Sequence, residues 1–296
     1  MCLCPIPGPG EQSYRWGMDP LYGGRSGRGQ KESRETVSAL SAVCYIYVNG
    51  EQDRPEGSAA VEKLQIRGGI LMRSRFENSR RPADFRPSLV WLAIFILFTV
   101  LVAVVNRQPV GPQDSVVGFA DFNLSVHEAV GVHKVFHILS TILGFAAILY
   151  AAMQTFSAVR QCVQRGGPDR VAADSLAMLV VYTVTVLIYI LFEFVVINYR
   201  PVLDDGALAA SYPSSHSLLA VAVFLTGAQQ IRIRVRNAQD RQLFTAVLTA
   251  ACVLTILARF LSGVHWATDI IGGILAGYFV LSLYRPVIRL IRNMRV

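Results

Sequence analysis

The chain has 296 residues, of which 53% are hydrophobic and 16% are charged, and its formal net charge is +8. A soluble domain of this length is usually less apolar and about one quarter charged, so the composition favours membrane-spanning segments. Most of the positive charge comes from arginines that flank the apolar segments. This pattern gives no reason to expect a nucleic-acid partner.

The N-terminal region, residues 1–87, is rich in glycine and in charged residues. Its one apolar stretch, residues 37–48, is shorter than the roughly 20 residues that a membrane helix needs. We predict that this region is disordered, and that GGRSGRG at 23–29 is part of a flexible tail. An alternative is a true start at Met72, because the arginines that follow it are typical of a short cytoplasmic N-terminus.

Six apolar segments follow, each of about the length that spans a bilayer. They cover residues 88–105, 135–156, 176–197, 214–231, 244–261 and 266–284. Six such segments with almost no charge argue against the buried helices of a soluble protein. The predicted fold class is an all-α integral membrane protein, with six transmembrane helices in a bundle formed by residues 88–296.

Arginine clusters indicate the orientation of these segments. They precede the first segment, separate the second from the third and the fourth from the fifth, and follow the sixth. All four clusters fall on one side of a six-span chain, which the positive-inside rule makes cytoplasmic. We therefore predict a multi-pass protein of the cell membrane with both termini in the cytoplasm.

Polar residues are concentrated at the predicted outward ends, where charged side chains at membrane depth usually serve function. They are Arg200 after the third segment, Ser214, Ser215 and His216 at the start of the fourth, and Arg259, His265 and Asp269 between the fifth and sixth. Taken singly, such an arginine can snorkel and such a serine can cap a helix. Together, arginine forks and free N–H groups at a helix start suit phosphate oxygens.

His265 and Asp269 are four residues apart, so on a helix Asp269 can accept a hydrogen bond from one ring nitrogen of His265. That bond would fix the tautomer and leave the other nitrogen free to attack. The residues predict an anion site with a histidine nucleophile.

Three stretches resemble the motifs of the type-2 phosphatidic acid phosphatase superfamily, whose membrane members are six-span lipid phosphatases related to vanadium haloperoxidases. The family motifs are Lys-x6-Arg-Pro, Pro-Ser-Gly-His and Ser-Arg-x5-His-x3-Asp. This chain has EFVVINYRP at 193–201, PSSH at 213–216 and ARFLSGVHWATD at 258–269, in the same order and with the same internal spacing. The resemblance extends from about residue 88 to the C-terminus.

The resemblance implies that a lipid phosphate or diphosphate is hydrolysed at the outer membrane interface, without a metal or other cofactor. His265 would attack phosphorus to form a phosphohistidine, and Asp269 would orient it. His216 would protonate the leaving oxygen and then activate water. The phosphoryl oxygens would be bound by Arg200, Arg259, Ser214 and Ser215.

Three residues depart from the motifs: Ser215 replaces a glycine, Ala258 replaces a serine, and Glu193 replaces a lysine. Glu193 reverses the charge at a phosphate-facing position. One possibility is that it pairs with Arg200 or Arg259 and holds a guanidinium in place, and we favour this hypothesis. The alternative is that Glu193 faces a neighbouring segment in its protonated form.

Two other functions are compatible with these motifs. One is a non-enzymatic transport or binding protein that recognises an anion through its arginines, and the other is vanadate-dependent haloperoxidase chemistry, against which the membrane spans argue. The sequence leaves open the lipid headgroup and the oligomeric state.

Three further patterns have simpler interpretations. His133 and His137 have a metal-compatible spacing, but we predict an amphipathic lead-in to the second segment. Gly273 and Gly277 predict close helix packing. The NLS sequence at 123–125 matches a glycosylation acceptor, a short match that is common by chance.

Overall fold

The computed structural model describes residues 82–295. The predicted disordered region therefore lies outside the described residues except for its last six, 82–87. The apolar stretch at 37–48 and the alternative start at Met72 also lie outside them. These expectations stay predictions.

The described residues form helices and loops, with no β-strand among them. The helices are α1 (Arg86–Val104), α2 (Ala120–Val130), α3 (Lys134–Arg165), α4 (Ala173–Phe194), α5 (Ser215–Ala220), α6 (Thr226–Arg234), α7 (Ala238–Leu261) and α8 (Ala267–Met294). A π-helical turn, Val221–Leu225, joins α5 to α6 without a break. Short 3-10 turns lie at Pro112–Asp114 and Pro168–Arg170.

Five helices of the described region, α1, α3, α4, α7 and α8, are long and apolar enough to cross a membrane. Large apolar side chains point away from the bundle, among them Phe145, Leu149 and Phe194, which are 67%, 72% and 84% exposed. Lipid accommodates such a surface, whereas water does not. The all-helical membrane architecture expected from the sequence is therefore supported.

The fourth predicted span differs from the other five because it is not a single long helix. It consists of α5, the π-helical turn and α6, and most of its side chains are enclosed by the surrounding helices. Gln230, for example, is 1% exposed and bonds to Gln154 and Asp174. A helix shielded from lipid can carry such polar groups, which lower its apolarity. The count of six spans stays a prediction.

Close packing between α8 and α5 depends on glycine. A Cβ atom on Gly273 would lie 2.5 Å from the carbonyl oxygen of Ser214, and one on Gly277 would lie 2.5 Å from Cβ of Val221. Both distances are too short for a real side chain. The close packing predicted from these two glycines is confirmed, and it brings the start of α5 against α8.

The helix α2 lies just before His133 and His137 of the predicted amphipathic lead-in, and Gly131, the residue after its last residue Val130, has φ of 71°. Asn123 of α2 is fully buried, and its side chain donates to Thr268 Oγ1 at 2.9 Å and to the Gly118 carbonyl at 2.7 Å. These bonds hold α2 against the start of α8. The Asn123 side chain is consequently not accessible for glycosylation.

The opposite end of the bundle carries a separate polar cluster. Asp174 at the start of α4 forms an ion pair with Arg234 at the end of α6, at 2.5 Å. Gln230 donates to the same carboxylate at 3.1 Å, and Gln154 of α3 donates to Gln230 at 2.8 Å. The cluster therefore ties α3, α4 and α6 together at the end away from the motif residues.

Candidate active site

The three motif segments meet where α4 ends, α5 begins and α7 turns into α8. Trp266 Nε1 donates to the carbonyl oxygen of Tyr199 at 2.7 Å, which joins the first and third segments. The backbone N–H of Ser214 donates to the carbonyl oxygen of Asp269 at 2.9 Å, which joins the second and third. The residues predicted to form one site are therefore brought to one end of the bundle.

His265 lies at the centre of this cluster and is 6% exposed. Its Nε2 is 3.0 Å from Nη2 of Arg259, and its Nδ1 is 2.9 Å from Oγ of Ser211. A guanidinium can only donate, so Nε2 must accept and the ring proton resides on Nδ1. Nε2 thus carries the lone pair that a nucleophile needs.

Asp269 does not bond directly to His265, contrary to the sequence-based expectation. Its Oδ2 is 3.7 Å from Nδ1 of His265, and the Ser211 hydroxyl lies between them and donates to Oδ2 at 2.5 Å. The reason is that α8 begins only at Ala267, so His265 is not on the helix that carries Asp269. Asp269 is therefore connected to His265 through Ser211.

Two residues of this network, Ser211 and Asn198, were missed by the sequence analysis. Asn198 is fully buried, donates to Oδ1 of Asp269 at 3.1 Å and accepts from the Gly118 N–H at 3.0 Å. Ser211 is 2% exposed. Each lies two residues before a motif residue, Arg200 or Pro213, and that proximity was the available signal.

The two motif arginines have different surroundings. Arg259 is 2% exposed and places its fork between two imidazoles, with Nη2 on His265 and Nη1 3.2 Å from Nδ1 of His137. Arg200 is half-buried and donates to Asp204 Oδ2 at 2.8 Å. The Nε atoms of both arginines lack a hydrogen-bond partner within the described region. These unpaired donors suit an anion.

Glu193 does not form the ion pair that we favoured from the sequence. Arg200 pairs with Asp204 instead, and Glu193 has no ion pair within 4.0 Å among the described residues. Glu193 is exposed at the last turn of α4 and lines the same cavity as Arg200. The alternative, that Glu193 faces a neighbouring segment in its protonated form, stays a prediction.

His216 lies in the first turn of α5 and faces α3. A Cβ atom on Gly144 of α3 would lie 2.8 Å from Cδ2 of His216, so the glycine leaves room for the ring. The Nδ1 atom of His216 has no partner among the described residues. The imidazole is thus held by packing and has a nitrogen available for proton transfer.

The two motif serines are not equivalent. Ser215 lines the cavity at the site. Ser214 is fully buried, with its N–H bonded to the Asp269 carbonyl and its hydroxyl accepting from Ser217 at 3.2 Å. Of the two serines, only Ser215 is therefore placed where a ligand reaches it.

Two adjoining cavities open at this cluster. One of about 270 Å³ is lined by polar residues that include Arg200, Ser211, Ser215 and His265. The other, of about 430 Å³, reaches His216 and is lined largely by apolar side chains such as Phe145, Ile148, Val186 and Leu219. They share Tyr189, Ser215 and Leu218. A polar site thus continues into an apolar space between α3 and α4.

The charge state of His265, in the loop between α7 and α8, follows from its surroundings. Burial, with the positive charges of Arg259 and Arg200, lowers the pKa of His265 well below its usual value of 6.5. The imidazole is therefore neutral at pH 7, in agreement with the lone pair on Nε2.

Within the described residues, no group of three or more His, Cys, Asp and Glu side chains is arranged to hold a metal ion. The spacing of His133 and His137 therefore does not correspond to a three-ligand metal site there. His133 instead bonds to the Val130 carbonyl at 2.8 Å, while His137 contacts Arg259.

Both the fold and the motif segments of this chain are similar to those of known proteins. The structure is similar to the crystal structure of a transmembrane PAP2-type phosphatidylglycerolphosphate phosphatase from Bacillus subtilis, with 16% identity and a TM-score of 0.50 over 68% of this chain and 94% of that one. No curated protein matches the sequence. The sequence pattern of the PAP2 superfamily matches residues 137–291, more than half of the chain, and includes all three motif segments. The chain therefore belongs to the PAP2 superfamily.

Proposed function

We propose that this protein is a membrane phosphatase that hydrolyses a lipid phosphate or diphosphate monoester through a phosphohistidine on His265. The observation that carries the proposal is the position of His265, whose Nε2 lone pair lies against Arg259 while Ser211 and Asp269 hold Nδ1. Membership of the PAP2 superfamily and the fold of a PAP2-type phosphatase support phosphatase activity.

The first chemical step forms the phosphoenzyme. Nε2 of His265 attacks phosphorus, and the bond from phosphorus to the bridging oxygen of the lipid breaks. His216 donates a proton to that leaving oxygen, so an alcohol or a lipid monophosphate departs. The positive charge that develops on His265 is stabilised through Ser211 by the Asp269 carboxylate.

The second step hydrolyses the intermediate. His216, now neutral, removes a proton from water as the water oxygen attacks phosphorus. The bond between phosphorus and Nε2 breaks, which releases inorganic phosphate and restores His265. His216 is again protonated, so the protons balance over one cycle.

Binding of the phosphoryl oxygens is assigned to Arg200, Arg259 and Ser215, together with Ser214 in a supporting position. Phosphoryl transfer depends mainly on positioning and on stabilisation of charge, which planar guanidinium groups supply. Arg259 contacts His265 in this structure, so a bound phosphoryl group would take over the Nη2 hydrogen bond that His265 Nε2 now accepts.

The substrate is proposed to be a lipid because the polar cavity adjoins an apolar one between α3 and α4. The phosphoryl group would occupy the polar cavity, and the first part of the hydrocarbon chain would lie in the apolar cavity. We further propose six spans, with α5 and α6 forming the fourth, both termini in the cytoplasm and the site facing outward. The arginine distribution supports this orientation.

The test is phosphate release from phosphatidic acid, phosphatidylglycerol phosphate and undecaprenyl diphosphate by the purified protein in detergent. We expect at least one substrate to be hydrolysed, and His265→Ala to lose activity. Acid-labile, base-stable phosphate should be trapped on the unmodified protein and not on His265→Ala. Vanadate binding without hydrolysis of any lipid phosphate would contradict the proposal and favour a non-enzymatic anion-binding protein.

A variant of His216 separates the two steps. With p-nitrophenyl phosphate, whose leaving group needs little protonation, His216→Ala should form the phosphoenzyme and hydrolyse it slowly, so label accumulates on His265. Loss of labelling in this variant would contradict the role of His216 in hydrolysis of the intermediate.

A further inference from the structure

His137, in the first turn of α3, lies against the site although it belongs to none of the three motifs. Its Nδ1 is 3.2 Å from Nη1 of Arg259. The two residues are 122 positions apart in the sequence. In the sequence, His137 stands out only through its metal-like spacing with His133.

Backbone contacts hold the start of α3 in this place. The N–H of His133 donates to the carbonyl oxygen of Ser262 at 3.1 Å. Gly263 has φ of 68°, and a Cβ atom there would clash with the carbonyl oxygen of Gly131. The loop that carries His265 and the turn that precedes α3 are therefore packed backbone against backbone, which brings His137 to Arg259.

The hydrogen bond between His137 and Arg259 has a fixed direction. The guanidinium donates, so Nδ1 of His137 accepts through its lone pair. The two outer nitrogens of Arg259 therefore have different hydrogen-bond partners. Nη1 is anchored on His137 of α3, while Nη2 faces His265, where a phosphoryl oxygen would bind in the proposed mechanism.

The site has fewer cations than the family motif provides, because Glu193 stands at the lysine position and makes no ion pair among the described residues. Phosphate binding then depends more strongly on the orientation of the guanidinium group of Arg259, whose long side chain has several rotatable bonds. A second fixed contact on the guanidinium restricts that freedom.

We propose that His137 is a positioning residue of the phosphate site, which accepts a hydrogen bond from Arg259 Nη1 and thereby holds Nη2 toward the phosphoryl group at His265. The inference rests on the proposed phosphate site. His137 acts through Arg259, so its loss weakens anion binding more than it slows the chemical steps.

The experiment compares three variants of the full chain, using orthovanadate binding by calorimetry and the kinetics of phosphate release. His137→Leu and His137→Ala should weaken vanadate binding about tenfold and raise KM similarly, the size of one hydrogen bond to a charged group, with a smaller change in kcat. His137→Asn should bind within about threefold of the unmodified protein, because its Oδ1 lies where Nδ1 was and also accepts.

The matched control is His133→Ala, which removes the same residue type from the same turn. The His133 side chain bonds to the Val130 carbonyl and not to an arginine, so vanadate binding should be unchanged. If His137 only filled space, His137→Leu would bind vanadate better than His137→Asn, because leucine fills the space of histidine better than asparagine does. The opposite order of vanadate affinities would therefore exclude a purely structural role.

Wild-type vanadate affinity in His137→Leu, or equal weakening in His137→Leu and His137→Asn, would overturn the inference even in an active enzyme. Failure of the unmodified protein to hydrolyse any lipid phosphate would contradict the proposed function alone, because vanadate binding still tests His137. Absence of vanadate binding by the unmodified protein would overturn both.

Discussion

Ser211 belongs to none of the three motifs, yet it contacts two motif residues. Its side chain is buried, and its hydroxyl bridges Nδ1 of His265 and Oδ2 of Asp269 through two hydrogen bonds. An aspartate that acts through a hydroxyl still fixes the tautomer of the histidine, because the hydroxyl accepts from Nδ1 and donates to the carboxylate.

Replacing Ser211 tests this arrangement. Ser211→Ala leaves Nδ1 without its partner and removes one hydrogen bond from a buried carboxylate, so we expect kcat to fall by about 10- to 100-fold, as for loss of a hydrogen bond to a charged group. Ser211→Thr keeps the hydroxyl and should retain most activity. Ser125→Ala, at an exposed serine of α2, is the control. Unchanged kcat in Ser211→Ala would contradict a role for the bridge.

Replacing Glu193 should change anion affinity in the direction opposite to that expected if Glu193 formed an ion pair with an arginine. Its carboxylate lines the cavity beside Arg200, so it repels an anion without supporting the arginine. Glu193→Gln should therefore tighten vanadate binding by up to about fivefold, the range for exposed charges. Glu128→Gln, at an exposed position of α2, should change nothing. Weaker binding in Glu193→Gln would restore the pairing hypothesis.

At the scale of elements, α3 packs closely against α5, and this contact holds the His216 ring in place. Gly144→Ala would place a methyl group 2.8 Å from the His216 ring and force it to move. We expect slower hydrolysis of the phosphoenzyme, measured as label that persists on the protein. The free energy of unfolding should change little, because alanine stabilises a helix relative to glycine by about 1 kcal/mol.

The chain offers a matched control for Gly144→Ala in Gly227→Ala. That glycine also lies in a helix, and its added Cβ would meet the Tyr150 side chain at 2.7 Å, away from the motif residues. Phosphoenzyme lifetime should be normal in Gly227→Ala. An equal effect of both substitutions would show that helix packing in general, and not the position of His216, limits the reaction.

At the scale of the whole molecule, the orientation in the membrane rests on the arginine clusters. With the native cysteines replaced by alanine, Ala207→Cys in the loop after α4 should react with an impermeant thiol reagent in intact cells. Asp169→Cys, in the loop between α3 and α4, should react only after the membrane is permeabilised. Both positions are exposed. The reverse pattern would place the site in the cytoplasm.

The amino-acid sequence by itself determined the five long apolar helices of the described region and the motif residues of this protein. An apolar run of about 20 residues selects a membrane helix wherever it occurs, because only a helix satisfies its own backbone in lipid. The spacing within each motif is also local, so His216, His265, Asp269, Arg200 and Arg259 were identifiable before the structure. The GxxxG pattern of α8 likewise predicted a close approach, and Gly273 and Gly277 make it.

Only the tertiary structure decided which side chains meet. Ser211 lies 54 positions from His265, and His137 lies 122 from Arg259, so no local pattern predicts either contact. The start of α8 at Ala267 determines that Asp269 reaches His265 through Ser211, and the enclosure of α5 and α6 explains why the fourth segment tolerates polar residues. These outcomes depend on how helices distant in sequence pack, because packing sets the distances over which hydrogen bonds form.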